Sequence, residues 1–216
     1  MIWERLLDWW TFFEQGGPLM YPIFLCSVTA LTIIFERLWM LRTRKVIPIG
    51  LVREVGALAS SGDLDKVRAL LVSSDTSIAR VLLAGLDNVG KGREVIREAM
   101  EDAGRIEAHW LSHFVNMLGG IAGLSPLLGL LGTVIGMIDA FNQIVERGVG
   151  NAGDVAGGIS MALITTAAGL TVAIPAFIAN RYFAGRVENL MAHMEEVGMK
   201  FIELIDQAPV KDESEE

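Results

Sequence analysis

Cysteine occurs once in the 216 residues, histidine three times and proline six times. The lone Cys26 lies inside an apolar run and has no possible partner, so a disulfide framework is excluded and the side chain reads as a small packed hydrophobe. His109 and His113 stand four residues apart, but no carboxylate or cysteine at ligand spacing joins them. No metal site is expected, and a solvated helix face is the better reading for them and for His193. Charge is sparse as well, at 20% of residues, and part of the formal net charge of -8 sits in the terminal DESEE. No basic stretch interleaved with aromatics is present, so nucleic acid is excluded as a partner. A phosphate-binding glycine loop, a nucleophile elbow and an H-E-x-x-H pattern are all missing. With no nucleophile, acid-base pair or cofactor motif, no catalytic residue and no cofactor are expected, and the chain does not read as an enzyme.

What the chain has in quantity is apolar sequence. Hydrophobic residues make up 52%, and the mean hydropathy of +0.44 is too high for a soluble domain of this length. Three runs are long enough to cross a hydrocarbon core of roughly 30 Å. The first, Gly17 to Leu41, is followed at once by Arg42, Arg44 and Lys45, which places that end in the cytoplasm. No basic region precedes it, so a cleaved signal peptide fits poorly and the segment is expected to stay. The second run, Phe114 to Val145, is longer than a bilayer demands and must protrude, tilt or bend, with Pro126 as the place to bend it. The third, Val155 to Phe183, ends beside Arg181 and Arg186.

These cues predict an all-α integral membrane protein with three transmembrane helices and long cytoplasmic helical extensions. The expected order is a periplasmic amphipathic helix over 1–16, a first span over 17–41, a cytoplasmic helical insert over 42–112, a second span over 113–145, a periplasmic loop over 146–154, a third span over 155–183, a cytoplasmic helix over 184–208 and an acidic tail over 209–216. The N-terminal stretch carries Trp3, Leu6, Leu7, Trp10 and Phe13 on one face, suited to the membrane interface or to a neighbouring subunit. In the insert, Asp63 and the SSDTS cluster at 73–77 are helix-start signals. From Arg93 onward no breaker appears before the second span, which predicts one long helix entering the membrane. In the last helix, Val187, Leu190, Met194, Val197, Phe201 and Leu204 form one apolar face.

Inside the spans the small and polar residues stand out. Gly119, Gly123, Gly129, Gly132, Gly136 and Ala140 recur on the second span, and Gly158, Ala162, Thr166, Gly169, Ala173 and Ala176 on the third. Such stripes let helices approach closely where the hydrophobic effect cannot drive association. Thr133, Thr165 and Thr166 exceed that need. A membrane hydroxyl can bond back to its own helix, yet three at comparable depth on antiparallel neighbours fit a polar belt along a hydrated ion path. No carboxylate lies at that depth: Glu36 is near the cytoplasmic end of the first span and Asp139 toward the outer end of the second, positions for anchoring or an ion vestibule. If ions move here, a partner must supply the anionic stop. Pro175 lies near the cytoplasmic side of the third span, where a bend would widen a ring of helices.

LLGLLGTVIGMIDAF at 127–141, GGISMALITTAAGLTVAIPAF at 157–177 and IFERLWMLR at 34–42 together resemble the MotA/TolQ/ExbB proton-channel family, and within it ExbB and TolQ most. The resemblance covers roughly residues 17–205. It implies a bacterial inner-membrane subunit, N-terminus periplasmic and C-terminus cytoplasmic, that assembles in the lipid bilayer as a homo-oligomeric ring, a pentamer, around a dimer of single-span ExbD-like chains. The ExbD-like span would carry the essential aspartate, with Thr133 and Thr166 matching the family's two pore-facing threonines. Ion flow would then be coupled through a TonB-like protein to outer-membrane transport. Two departures stand in this sequence. Met161 replaces the glutamate of the family's GISEAL, which removes a relay through that side chain. Thr165 precedes Thr166, where proton-using relatives commonly have alanine, and this double threonine resembles sodium-driven stators. The translocated ion is therefore H+ or Na+. TolQ-like envelope maintenance, a motility stator and a passive membrane scaffold are the competing functions.

Overall fold

The structure is a computed structural model, and the residues it describes are Phe13, 15–147 and 152–207. Most of the expected amphipathic helix over 1–16, the middle of the loop over 146–154 and the acidic tail over 209–216 lie outside the described residues. Every regular element among the described residues is helical: α1 (Met20–Met40), α2 (Thr43–Val46), α3 (Ile49–Ser60), α4 (Leu64–Ser73), α5 (Ser77–Leu86), α6 (Arg93–Arg147) and α7 (Ala152–Gln207). Three of these, α1, α6 and α7, are long and apolar enough to cross a membrane. At 55 residues α6 runs about 82 Å, well over twice the thickness of a hydrocarbon core. The unbroken helix expected from Arg93 is thus present. Both long helices also continue through their prolines, Pro126 and Pro175, so neither residue ends its helix. Each lacks an N–H, which leaves the carbonyls of Ala122 and Thr171 without their helical donor.

The chain divides into two compact units, one formed by Met1–Glu36 with Phe114–Tyr182 and the other by Arg37–His113 with Phe183–Glu216. The first unit holds the apolar stretches. Its α1 begins after a turn in which Gly17 adopts φ +70°, a left-handed conformation that costs glycine little, and the Met20 N–H closes onto the Gly17 carbonyl at 3.1 Å. Phe13 folds back at that turn, edge-on to Tyr21 and Phe24. The hydroxyls of Thr29 and Thr32 bond back to the carbonyls four residues earlier, as lone hydroxyls in a membrane helix do. Only 22–28% of each apolar window is buried within the chain, so lipid or further chains must cover the rest.

The second unit is built from short helices with one apolar face each. Asp63 caps α4 by accepting from the Lys66 N–H at 3.3 Å, while Thr76 stands at the N-terminus of α5 in extended geometry and makes no side-chain cap. Packing of α3 on α4 and of α4 on α5 buries Val55, Ala59, Val67, Leu71, Ile78 and Leu82. On α7, Val187, Leu190, Met194 and Phe201 are buried while Val197 and Leu204 are half-buried, which follows the apolar face read from the sequence. Two buried polar groups tie the unit together. Arg37 donates to the Leu111 carbonyl at 3.0 Å, and Glu107 receives a bidentate pair from Arg80 at 2.6 and 2.8 Å.

Candidate functional site

The candidate site grows out of the seam between α6 and α7 in the first unit. A side chain added at Gly136 would stand 2.7 Å from the Gly158 carbonyl and 2.8 Å from Ala162, and one at Gly158 would meet Gly136 and Ala140. Further along, a Cβ on Gly129 would lie 3.0 Å from the Thr166 Cα, and one on Gly169 would lie 2.6 Å from the Ser125 carbonyl. The contacts advance on one helix as they retreat on the other, which is antiparallel packing at backbone distance. Gly129, Gly132, Gly136, Gly158, Ala162 and Gly169 all take part. Gly123 does not, since it is exposed and a Cβ there would meet nothing.

The sequence stripe on the third span also shifts by one residue. Between Val155 and Tyr182 the buried positions of α7 are Ala162, Thr165, Gly169, Ala173 and Ala176. Thr165 is buried in the seam and Thr166 half-buried at its edge, a choice the sequence leaves open because a 3.6-residue period is served equally by either step between 162 and 169. Thr165 is 0% exposed, packs its side chain against Gly132 and shares its hydroxyl proton between two carbonyls, Met161 and Gly16, each at 2.8 Å. Met161 in turn lies over Gly17, so its thioether packs on the turn ahead of α1.

Thr133 and Thr166 sit differently. Both are half-buried, and they come from different helices. The Thr166 hydroxyl crosses to the Gly129 carbonyl at 2.9 Å, and that of Thr133 bonds the next carbonyl, Leu130, at 2.6 Å. The structure therefore brings these two hydroxyls to adjacent carbonyls of α6, while the Thr165 hydroxyl is committed to Met161 and Gly16. Each spends its proton on a carbonyl and keeps acceptor lone pairs for an incoming donor or cation. The apolar side chains around them, Leu130 and Val134 on α6 and Leu163 and Leu170 on α7, are 44–64% exposed.

Glu36 and Asp139 are both exposed, and Asp139 lies about 9 Å along α6 from Thr133. Neither is placed at the threonine level on its helix. Among the described residues no group of three or more His, Cys, Asp or Glu side chains is placed to hold a metal ion. Two features went unread in the sequence. Asn180 donates to the Val115 carbonyl of α6 at 2.7 Å, and Gly119 leaves room for its amide. The Gly16 carbonyl was the other, and its partner lies 149 residues away. A polar residue among small ones was the available signal for Asn180; nothing local marks Gly16.

A family model described as the MotA/TolQ/ExbB proton channel family matches residues 73–196. The chain belongs to the MotA/TolQ/ExbB proton channel family. It is 38% identical over 205 residues to the ExbB-like 1 biopolymer transport protein of Synechocystis, covering 93% of this chain and 79% of that one. It is 30% identical over 187 residues to the biopolymer transport protein exbB1 of Vibrio cholerae, covering 84% and 82%. A shorter match, 38% over 98 residues, links it to the Tol-Pal system protein TolQ of Pseudomonas aeruginosa, covering 45% of this chain and 42% of that one. As a MotA/TolQ/ExbB member the chain is a membrane protein of a channel family and not of an enzyme family.

Proposed function

We propose that this chain is the ring-forming subunit of an ExbB-type motor in a bacterial inner membrane, N-terminus periplasmic and C-terminus cytoplasmic, in which protons pass the face bearing Thr133 and Thr166. The observation that carries the reading is the meeting of those two hydroxyls on the adjacent carbonyls of Gly129 and Leu130. They form a polar spot on an otherwise apolar helix pair that has no acid at the same level. An ion crossing a membrane needs a titratable or anionic stop, and a single-span ExbD-like partner would supply it as an aspartate. A homo-oligomeric ring, a pentamer on the family pattern, would enclose that partner and bury part of the apolar surface that one chain leaves exposed.

Protons are favoured over sodium because the additional hydroxyl, Thr165, is 0% exposed and already donates to two carbonyls. For the coupled work we propose TonB-dependent outer-membrane transport. The relatives aligned along most of the chain are named for biopolymer transport, whereas the TolQ match covers 45% of it.

The test is energy-dependent substrate uptake in cells making the chain with its single-span partner. Thr133→Val and Thr166→Val keep approximate size and remove the hydroxyl. Each is expected to leave the complex assembled and to cut uptake at least tenfold. Replacing external sodium by potassium should leave uptake unchanged, while dissipating the proton gradient should abolish it. Unchanged uptake in both variants would make the chain a passive scaffold, and loss on sodium removal would make the motor sodium-driven.

A further inference from the structure

We propose that the corner where α1 gives way to α2 binds the phosphate headgroup of an anionic phospholipid. The last residues of α1, Leu38, Trp39 and Met40, are 49%, 59% and 44% exposed and continue the apolar surface of a helix long enough to cross a membrane. Arg42, Arg44 and Lys45 follow at once and are exposed. The Lys45 ammonium stands 2.8 Å above the centre of the Trp39 ring. Arg186 of α7 joins them, its guanidinium donating to the Thr43 hydroxyl at 2.9 Å. Four cations are thus gathered around Thr43, and none of the four makes an ion pair among the described residues.

Six other cations of the same unit are held differently. There Lys66, Arg68, Arg80, Arg97, Arg105 and Lys200 each lie on a carboxylate. The chain carries 26 acidic residues against 18 basic ones, so carboxylates are plentiful, yet among the described residues none pairs with these four. Like charges held together are relieved by an anion, and guanidinium forks match phosphate oxygens in geometry. A tryptophan at the end of a spanning helix sits at headgroup depth. The apolar surface leading into the cluster favours a lipid over a free phosphate or an acidic peptide: acyl chains lie along Leu38 and Met40 while the phosphate meets the cations.

The experiment uses the full chain, delipidated in an uncharged detergent and titrated with dioleoyl-phosphatidylglycerol, dioleoyl-phosphatidylcholine or inorganic phosphate. Bound lipid is counted by native mass spectrometry and the unfolding midpoint is followed. Phosphatidylglycerol should bind saturably and raise the midpoint, and the other two should not. Arg42→Gln with Arg44→Gln changes two exposed side chains that make no hydrogen bond or ion pair among the described residues, and should weaken phosphatidylglycerol about 25-fold, near fivefold per cation. Lys91→Gln with Arg93→Gln, exposed cations at the start of α6, should change it less than twofold. Equal weakening by both pairs would mean diffuse attraction and overturn the site. So would saturation by inorganic phosphate, or displacement of the lipid by an oligoglutamate peptide at matched charge.

Discussion

Thr165 and Gly16 are joined by a hydrogen bond of 2.8 Å across 149 residues of chain, from a hydroxyl with no exposure to a carbonyl that is itself buried. This contact fastens the turn ahead of α1 to the first quarter of α7. It also commits the threonine that would otherwise be read as an ion ligand. A buried carbonyl without a donor costs about 1–3 kcal/mol, so Thr165→Val should lower the unfolding midpoint of the solubilised protein by several degrees. Thr165→Ser, which keeps the hydroxyl, should restore most of the loss. Destabilisation by Thr165→Ser but not by Thr165→Val would assign the effect to the methyl group and not to the hydroxyl.

The seam between α6 and α7 makes a paired prediction. A methyl group at Gly136 would press on the Gly158 carbonyl and on Ala162, whereas one at Gly123 meets nothing within 4 Å. Gly136→Ala should therefore destabilise by about 1–3 kcal/mol as overpacking does. Gly123→Ala should be neutral or slightly stabilising, since alanine is the better helix former by about 1 kcal/mol. Thermal unfolding of the two variants side by side decides it.

Asn180 offers a third test. Its amide bridges to the Val115 carbonyl at 2.7 Å, a carbonyl that also belongs to the helical ladder of α6. Asn180→Leu should cost only about 1 kcal/mol, the net worth of an ordinary hydrogen bond. Gly119→Ala, which pushes on the Asn180 amide, should lose its effect in the Asn180→Ala background. A double-mutant cycle on the unfolding free energy reads the coupling.

Acid should loosen the second unit through Glu107, which lies seven residues before the apolar run that starts at Phe114. Burial pushes its carboxyl up, but hydrogen bonds from Arg80 and Ser77 and the Arg80 charge outweigh burial, so it titrates below the usual carboxylate range. A folded-state value below the unfolded one, about 4.3, means the pair contributes fully above roughly pH 5 and its contribution fades as pH falls through the folded value. Glu107→Gln should cost about 2 kcal/mol at pH 7, below the 3–5 kcal/mol of a fully buried pair because Arg80 is half-exposed. The variant's stability should be flatter than the wild type's between pH 5 and 3, measured by denaturant unfolding at fixed ionic strength.

How far the sequence revealed this arrangement depends on the range of each interaction. The run from Arg93 is legible because nothing in it breaks a helix, and the Asp63 cap because a capping side chain acts on its own neighbours. The glycine seam is legible because small residues at helical spacing have few other uses in a membrane helix. The choice between Thr165 and Thr166 is not, since both steps satisfy the period and only the facing helix selects one. The cluster around Thr43 was seen in part: Arg42, Arg44 and Lys45 read as a marker of orientation, and the arrival of Arg186 from α7 had no local trace.

The clasp between Gly16 and Thr165 also sets an order of events during synthesis. A ribosome adding about 5–20 residues per second delivers the threonine roughly 7–30 s after the glycine it must hold. Until then the turn ahead of the first span has no buried donor for its carbonyl. The turn at Gly16 is therefore secured only after residue 165 has emerged, and an arrest before that point would leave an inserted α1 with this turn unfastened.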